Sequence, residues 1–480
     1  MKQLNVQGQT YFNKVYDNDT TYDFNYNIIQ KKNGEYILVQ GSQDPFTPVI
    51  NSFIYSFDQN GDSVWSRMYN FSPTGGETFR DITELSDGNF VAGGMIQDSV
   101  LLRSNLFAFK FDTIGNVIWK QQYGTPFNDY CQSMQKCSDG GFIISGSNYD
   151  SLNTILTANL VKIDSVGSLV WNKHYTAGTT NCEFFDAKQT SDGGFIAAGQ
   201  VRLNANDRSC YLVKTDMDGD TLWTKIFNVG NTKDVIFGID VMFNGDIILC
   251  GGMIVNNGPG RGYVMRCDSI GNLIWDKNFV MGPYDAEFQD VFVDSNQNIY
   301  CVGEHFDLSL AIPRPSGWLT KIDYQTGDTI WNRTYRYFPL CDHYLYSVNR
   351  TNDMGFIMGG WTLTNCNSTL NDIWIVKVDS NGCDVAGCFV VGMNEVNKDA
   401  YDWKLFPNPA SSQFTVELPE KNLSGKIILM DELSRVVDEM YFDESSFHFF
   451  DTRTMSQGLY NCILIVGDGE VYSKKVMIVH

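Results

Sequence analysis

Short apolar runs, each about a strand in length and bounded by Gly, Asn or Asp, recur along most of the chain, with almost none of the 3.6-residue spacing of an amphipathic helix. The stretch 191–227 shows the unit clearly: a Ser191-Asp192-Gly193-Gly194-Phe195 turn and strand start, an apolar run to Gly199, a variable segment, Tyr211-Leu212-Val213-Lys214, an Asp216–Gly219 turn and a run through Trp223. Two anchors repeat. The first is a turn leading into an apolar strand start, at Tyr36, Phe90, Phe142, Phe195, Ile247, Ile299 and Phe356. The second is Asp-x-x-Gly followed by Trp, at Asp58/Trp65, Asp112/Trp119, Asp164/Trp171, Asp216/Trp223 and Asp268/Trp275; Asp323/Trp331 has one extra residue and Asp379 lacks its Trp. Both series have seven members, with a period of about 52–57 residues.

Each repeat predicts four strands, which in the second copy fall at 79–84, 90–94, 106–111 and 117–123. Asp-Gly pairs tolerate the positive φ of a tight hairpin, and the repeated Trp is large enough to pack between neighbouring repeats. Seven such units predict an all-β, seven-bladed β-propeller over residues 1–388. The seventh repeat lacks its Trp-bearing strand, and Phe12-Asn13-Lys14-Val15-Tyr16 resembles Trp171-Asn172-Lys173-His174-Tyr175. Residues 9–16 are therefore expected to pair with 372–378 and close the last blade, hiding two edges that would otherwise template aggregation.

Composition narrows the partners. The 35 basic against 56 acidic residues leave a net charge of −21, which repels nucleic acid and anionic lipid. No apolar run is long enough to span a bilayer, and Met1–Val6 carries no apolar signal core. The cysteines show no paired metal-ligand spacing; Cys383 and Cys388 are close enough for a small disulfide loop if the protein is exported. No metal and no cofactor are expected.

After Cys388 the repeat stops. Residues 389–402 read as a linker, and 403–480 as a small Ig-like β-sandwich with runs at 413–418, 426–430, 435–441, 458–466 and 471–479. This unit opens on Leu405-Phe406-Pro407-Asn408-Pro409-Ala410 and ends on Gly458-Leu459-Tyr460 and Lys474-Lys475-Val476. It resembles the type A C-terminal sorting domain of the type IX secretion system. The resemblance implies that Pro407, Asn408, Pro409, Gly458, Tyr460, Lys474 and Lys475 form the sorting motif, that the secretion machinery is a partner, and that the protein is secreted or held at the outer cell surface. It also implies a signal peptide, so a trimmed start is expected here. The usual Asp-x-x-Gly turn is replaced by Asp431-Glu432-Leu433-Ser434.

No nucleophile elbow, zinc-protease motif or phosphate loop is present. Thirteen residues before the strand starts lie Asp23, Glu77, Asp129 and Asp234, with Glu183, Glu287 or Asp285, and Asp342 near the equivalent positions of the other blades. Four residues further on, on the same strand face by period-two alternation, stand Asn27, Asp81, Ser133, Asp186, Asp290 and Ser347. Asp81, Asp186 and Asp290 are candidates for a polar channel mouth; alternatively, each carboxylate accepts backbone N–H bonds and ties down a neighbour. His305 and His343 lie where either could face the channel. Asp58 and Asp216 open short acidic loops better read as turns than as calcium sites, since the later bidentate acid is missing. Variable loops on one face carry Phe46, Phe306, Trp318 and Trp361, candidates to stack on a sugar or peptide, or to cap the blades. The function expected is binding of a glycan or protein, with a secreted carbohydrate-active enzyme and a structural adhesin as the alternatives.

Overall fold

Turn chemistry divides the chain into strands. The computed structural model describes residues 9–385 and 403–479, apart from short stretches such as 17–20, 73–75, 99–102, 228–231, 364–369, 419–423 and 431–435. Every named element among them is a strand. The chain divides into two compact units, Met1–Asp384 and Val385–His480. The linker assigned to 389–402 and the turn at 431–434 lie outside the described residues.

In the first unit, strands consecutive in sequence form four-stranded antiparallel sheets, two of them joined by a single parallel pairing of Arg208 with Lys233. Glu77–Glu84, Phe90–Gln97, Ser104–Phe111 and Val117–Tyr123 make a representative sheet, longer at the first three strands than the apolar pattern alone predicts. Its turns are held by carboxylates. Asp87 Oδ1 accepts the Asn89 N–H at 3.0 Å, and Asp112 Oδ1 accepts those of Ile114 and Asn116 at 3.0 and 2.8 Å. Asp58 and Asp216 cap their turns in the same way, which accounts for both acidic loops without a metal. A lysine on the third strand reaches back to the first turn in Lys110–Asp87, Lys162–Asp139, Lys214–Asp192 and Lys377–Asp353.

The Trp of the outer strands, with the Tyr that ends four of them, explains the second anchor. Gly167 has φ +84°, and a Cβ there would lie 2.8 Å from the Trp119 ring of the preceding sheet. Only glycine permits both the left-handed turn and this close approach. The Tyr123 hydroxyl donates to the Gly167 carbonyl at 2.6 Å, and Tyr69, Tyr175 and Tyr335 make the same bond to Gly115, Gly219 and Gly382. Phe12–Tyr16 completes the series. It pairs antiparallel with Asn371–Val378, from Phe12 opposite Lys377 to Tyr16 opposite Ile373. The Phe12 ring covers Gly61 and the Tyr16 hydroxyl donates to its carbonyl.

Apolar clusters fill the spaces between successive sheets, such as that of Phe79, Phe107 and Phe109 with Ile37 and Ile54. Cys341 and Cys383 each take part in a disulfide; Cys388, the partner suggested for Cys383, lies outside the described residues. Eight other cysteines are buried free thiols.

The second unit has two sheets: Lys404–Phe406, Gln413–Glu417 and Phe447–Asp451 in one, and Val436–Asp443, Ser424–Met430, Gly458–Val466 and Glu470–Ile478 in the other. One core joins them, with Phe414 and Phe450 from the first beside Ile427, Leu429 and Cys462 from the second.

Candidate functional site

The inner strands of the first unit share a local irregularity that strict alternation does not anticipate. Each carries one extra residue, a β-bulge, ten positions before the strand-start anchor: Tyr26, Arg80, Gln132, Phe185, Phe237, Gln289 and Tyr346. A bulge re-aims side chains and twists its strand. Here all of these side chains line one central cavity of about 800 Å³ and are half-buried. The glycine opposite makes room for the bulge; at Gly94 a Cβ would fall 2.0 Å from the Thr78 carbonyl oxygen.

The bulge also separates the two sets of acids, so the expectation that they share one strand face is corrected. Asn27, Asp81, Ser133, Asp186, Asp290 and Ser347 follow it and line the cavity; Asp23, Glu77, Asp129 and Asp234 precede it and do not. The earlier set holds incoming loops. Glu77 accepts the Ser72 N–H at 2.5 Å, and Asp129 accepts that of Thr125 at 2.7 Å. Asp285 accepts the Gly260 N–H at 2.6 Å. In the last sheet His343, not Asp342, takes this role: its Nε2 accepts the N–H groups of Tyr337 and Phe338 at 2.9 and 3.1 Å. Burial lowers its pKa to about 4, keeping the ring neutral as an acceptor requires. His305 is also buried and held at about 4, with Nε2 2.8 Å from Thr334 Oγ1. Neither histidine lines the cavity.

The later set links each sheet to the next. Asn27 donates to Asp81, which accepts the Met134 N–H at 2.9 Å. Ser133 donates to Asp186 at 2.7 Å, and Asp186 accepts the Ile239 N–H at 3.4 Å. Asp240 accepts Val293 at 2.7 Å, Asp290 accepts Val348 at 2.9 Å, and Asn349 donates back to Asn27 at 3.0 Å. The circuit returns to its start. Asp81, Asp186 and Asp290 are therefore brought together around the cavity, each already bonded to a neighbouring sheet.

Lys188 stands among them, 3.4 Å from Asp186. Burial works against its ammonium, but Asp186, Asp240, Asp290 and Asp81 outweigh burial and raise its pKa. Burial lifts Asp81 to about 6 and Asp290 to about 7, Lys188 and backbone donors offsetting only part of the effect. The sign follows from linkage. A carboxyl raised in the folded state penalises folding once ionised, so this cost is absent below its unfolded value near 4 and complete above about 7. An Asp290→Asn variant, which lacks that charge, is expected to recover stability relative to the parent as pH rises from 4 to 8. The scale is about 1.4 kcal/mol for each tenfold change in acidity. Urea titrations of both proteins across that range check it; a pH-independent difference would contradict it.

The aromatic candidates lie away from this cavity. Trp318 is fully buried, stacked on Phe288 at 4.3 Å, so its assignment as a ligand platform is corrected: it belongs to the core. Phe306 stacks on Tyr284 at 5.2 Å, Trp361 stacks on Tyr344 at 4.2 Å, and Phe46 is 93% exposed. The cavity-lining residues that sequence reasoning missed are Tyr26, Arg80, Gln132, Phe185, Phe237, Gln289 and Tyr346. Their signal was a constant offset of ten residues from the anchors, carrying large side chains of changing chemistry.

In the second unit the motif residues tie the two chain ends together. Asn408 donates to the Lys475 carbonyl at 2.8 Å and accepts the Met477 N–H at 2.9 Å; Pro407 and Pro409 flank it, both after cis peptide bonds. Lys474 donates to the Trp403 carbonyl, with its ammonium 5.3 Å from that ring. Tyr460 donates to the Ser456 carbonyl at 2.8 Å, Gly458 begins the strand that pairs with the last one, and Lys475 is exposed.

Among solved structures, a protein of unknown function from Dyadobacter fermentans is 12% identical, with a TM-score of 0.45, over 76% of this chain and 96% of its own. The β-propeller domain of the Trilobed protease from Pyrococcus furiosus is 8% identical, with a TM-score of 0.41, over 75% and 95%. A puromycin hydrolase is 11% identical, with a TM-score of 0.46, over 83% and 59%. No curated protein matches in sequence. Among the described residues no helix is long and apolar enough to cross a membrane, and no His/Cys/Asp/Glu group is arranged to hold a metal ion. Residues 404–479 match the family model of the secretion system C-terminal sorting domain. This chain, an all-β protein built of successive four-stranded antiparallel sheets, carries a type IX secretion C-terminal sorting domain and is secreted or displayed at the outer surface.

Proposed function

We propose that the first unit is a seven-bladed propeller that binds an extracellular glycan in its central cavity, and that the second is an Ig-like sandwich delivering it through the type IX machinery. The observation that carries the reading is the contrast within each inner strand. The residues that bond sheet to sheet are all short and polar, Asp, Asn or Ser, whereas the bulge residue beside them changes from aromatic to amide to guanidinium. A constant scaffold presenting variable side chains into a cavity is the arrangement of a recognition site. Phe185 and Phe237, 5.1 Å apart, offer an apolar surface for a sugar ring, beside the amides of Gln132 and Gln289. Phe306 and Trp361, which stand in strands Ile299–Asp307 and Phe356–Leu363 rather than in loops, each have one face covered by a neighbouring tyrosine, which favours the cavity as the site.

Binding is favoured over cleavage because the carboxylates of the cavity are occupied by backbone N–H donors of adjoining sheets. The full chain is applied to immobilised polysaccharides, and both retention and released sugar are scored. Retention without cleavage, lost in a Phe185→Ala/Phe237→Ala variant that keeps its unfolding temperature, is the expected result. Released sugar would establish the carbohydrate-active enzyme instead, and failure to be retained on any glycan would point to the adhesin.

A further inference from the structure

The acids of the cavity alternate around the ring. In order, the position after each bulge is Asn27, Asp81, Ser133, Asp186, Gly238, Asp290 and Ser347. A polar side chain donates to the acid of the following sheet at Asn27–Asp81 and Ser133–Asp186. Alternation around an odd number of positions must fail once, and it fails where Ser347 is followed by Asn27 instead of an acid. There the Ser347 hydroxyl, on a residue only 3% exposed and lining the cavity, has no hydrogen-bond partner. A buried hydroxyl without a partner costs about 1–3 kcal/mol, so the seam is unsatisfied by the protein's own groups.

Two further features describe what would satisfy it. The flanking bulge residues are Tyr26 and Tyr346, both lining the cavity, with the Tyr346 hydroxyl accepting from Trp361 Nε1 at 3.3 Å. The cavity interior is also short of positive charge: Asp81, Asp186, Asp240 and Asp290 face Lys188, with Arg80 held over the Tyr26 ring at 4.1 Å. An anion is repelled there, and a cationic group is drawn in. Phe185 and Phe237 belong to sheets on the far side of the ring from the seam, leaving an apolar wall opposite the polar one.

We propose that the cavity takes a small hydroxyl-rich ligand bearing a free, positively charged amine, an amino sugar, seated against Ser347 at the seam. This rests on the reading of the cavity as a glycan site and specifies its chemical class. Carboxylates hold the ammonium, the Ser347 hydroxyl and the cavity amides meet sugar hydroxyls, and the phenylalanine pair covers the ring.

Calorimetric titration of the full chain with glucosamine, N-acetylglucosamine and glucose at matched ionic strength tests it. Glucosamine is expected to bind at least tenfold more tightly than either neutral sugar. Ser347→Ala is expected to weaken glucosamine about fivefold with an unfolding temperature at or above the parent's, because the buried hydroxyl makes no bond within the protein. Gln132→Lys, which adds a positive charge to the cavity wall, is expected to abolish binding. Equal binding of N-acetylglucosamine or glucose, still sensitive to Ser347→Ala, would overturn the charge requirement while leaving the cavity as a glycan site. Glucosamine binding indifferent to both substitutions, or absent, would overturn the proposal, and the polysaccharide retention assay then decides separately whether the cavity binds any glycan.

Discussion

Removal of residues 1–18 is expected to abolish cooperative unfolding of the N-terminal unit in a single transition. Phe12–Tyr16 is the fourth strand of a sheet whose other three strands come from the far end of the unit, so its loss exposes Asn371–Val378 as an unpaired edge. It also uncovers the next sheet, because Phe12 is 7% exposed in a cluster with Tyr36, Leu38, Ile357 and Ile375. Side-chain bonds are lost with it: Trp374 Nε1 donates to Asn13 at 2.7 Å, and Lys377 to the Thr10 carbonyl at 3.3 Å. Truncating one buried Phe to Ala costs about 3–5 kcal/mol, against a total stability of about 5–15 kcal/mol for a typical domain. The Phe12→Ala variant alone is therefore expected to lose about 3 kcal/mol, and the truncated chain to unfold broadly and aggregate. Near-ultraviolet circular dichroism with light scattering on heating reads both. A truncated chain that melts in one sharp step at the parent's temperature would show that the strand does not close the ring.

Gly94→Ala is expected to cost about 4 kcal/mol or more, the range reserved for substitutions with a specific steric cause. The added methyl would sit 2.0 Å from the Thr78 oxygen and 2.8 Å from the Phe79 Cα, both backbone atoms that no rotamer change can move. Relief requires straightening the inner strand, which removes the bulge that aims Arg80 into the cavity. Urea unfolding measures the loss, and the retention assay reports the displaced side chain. A loss below about 1 kcal/mol would mean that the bulge is not held by this glycine. The first sheet carries Gln40 where the six others carry the matching glycine, and neither of its buried amide atoms finds a partner, so the strain of the bulge is met differently there.

Strand content and the repeat were legible because they rest on local chemistry. An Asp-Gly turn selects its own φ values, and an outer strand such as Val117–Tyr123 begins and ends where the apolar run predicts. The pairing of the N-terminal strand was legible too, since Phe12 and Tyr16 stand at the spacing of Trp171 and Tyr175 and clasp a turn glycine in the same way. The cavity was only half legible. Asp81, Asp186 and Asp290 could be singled out by their recurrence, but a period of two drawn through the inner strand places every residue before the bulge on the wrong side. That is why Asp23 and Glu77 read as neighbours of Asp81 and are in fact loop anchors. Trp318 failed as a ligand platform for a related reason. Its sequence neighbours Pro313 and Pro315 suggest a loop, yet register with Gly303 carries it into the core.

By itself, the sequence determined the all-β class, the period, the turns, the closing strand and the export tail, because each depends on residues close together in the chain or on one short motif. Only the tertiary structure decided which carboxylate meets which partner, since those bonds join residues about fifty positions apart through backbone N–H groups that carry no sequence identity. It also decided that the bulge residues share a cavity, and that an alternation of acids around a closed ring leaves Ser347 without a partner. Closure is a property of the whole circuit, and no local stretch of sequence contains it.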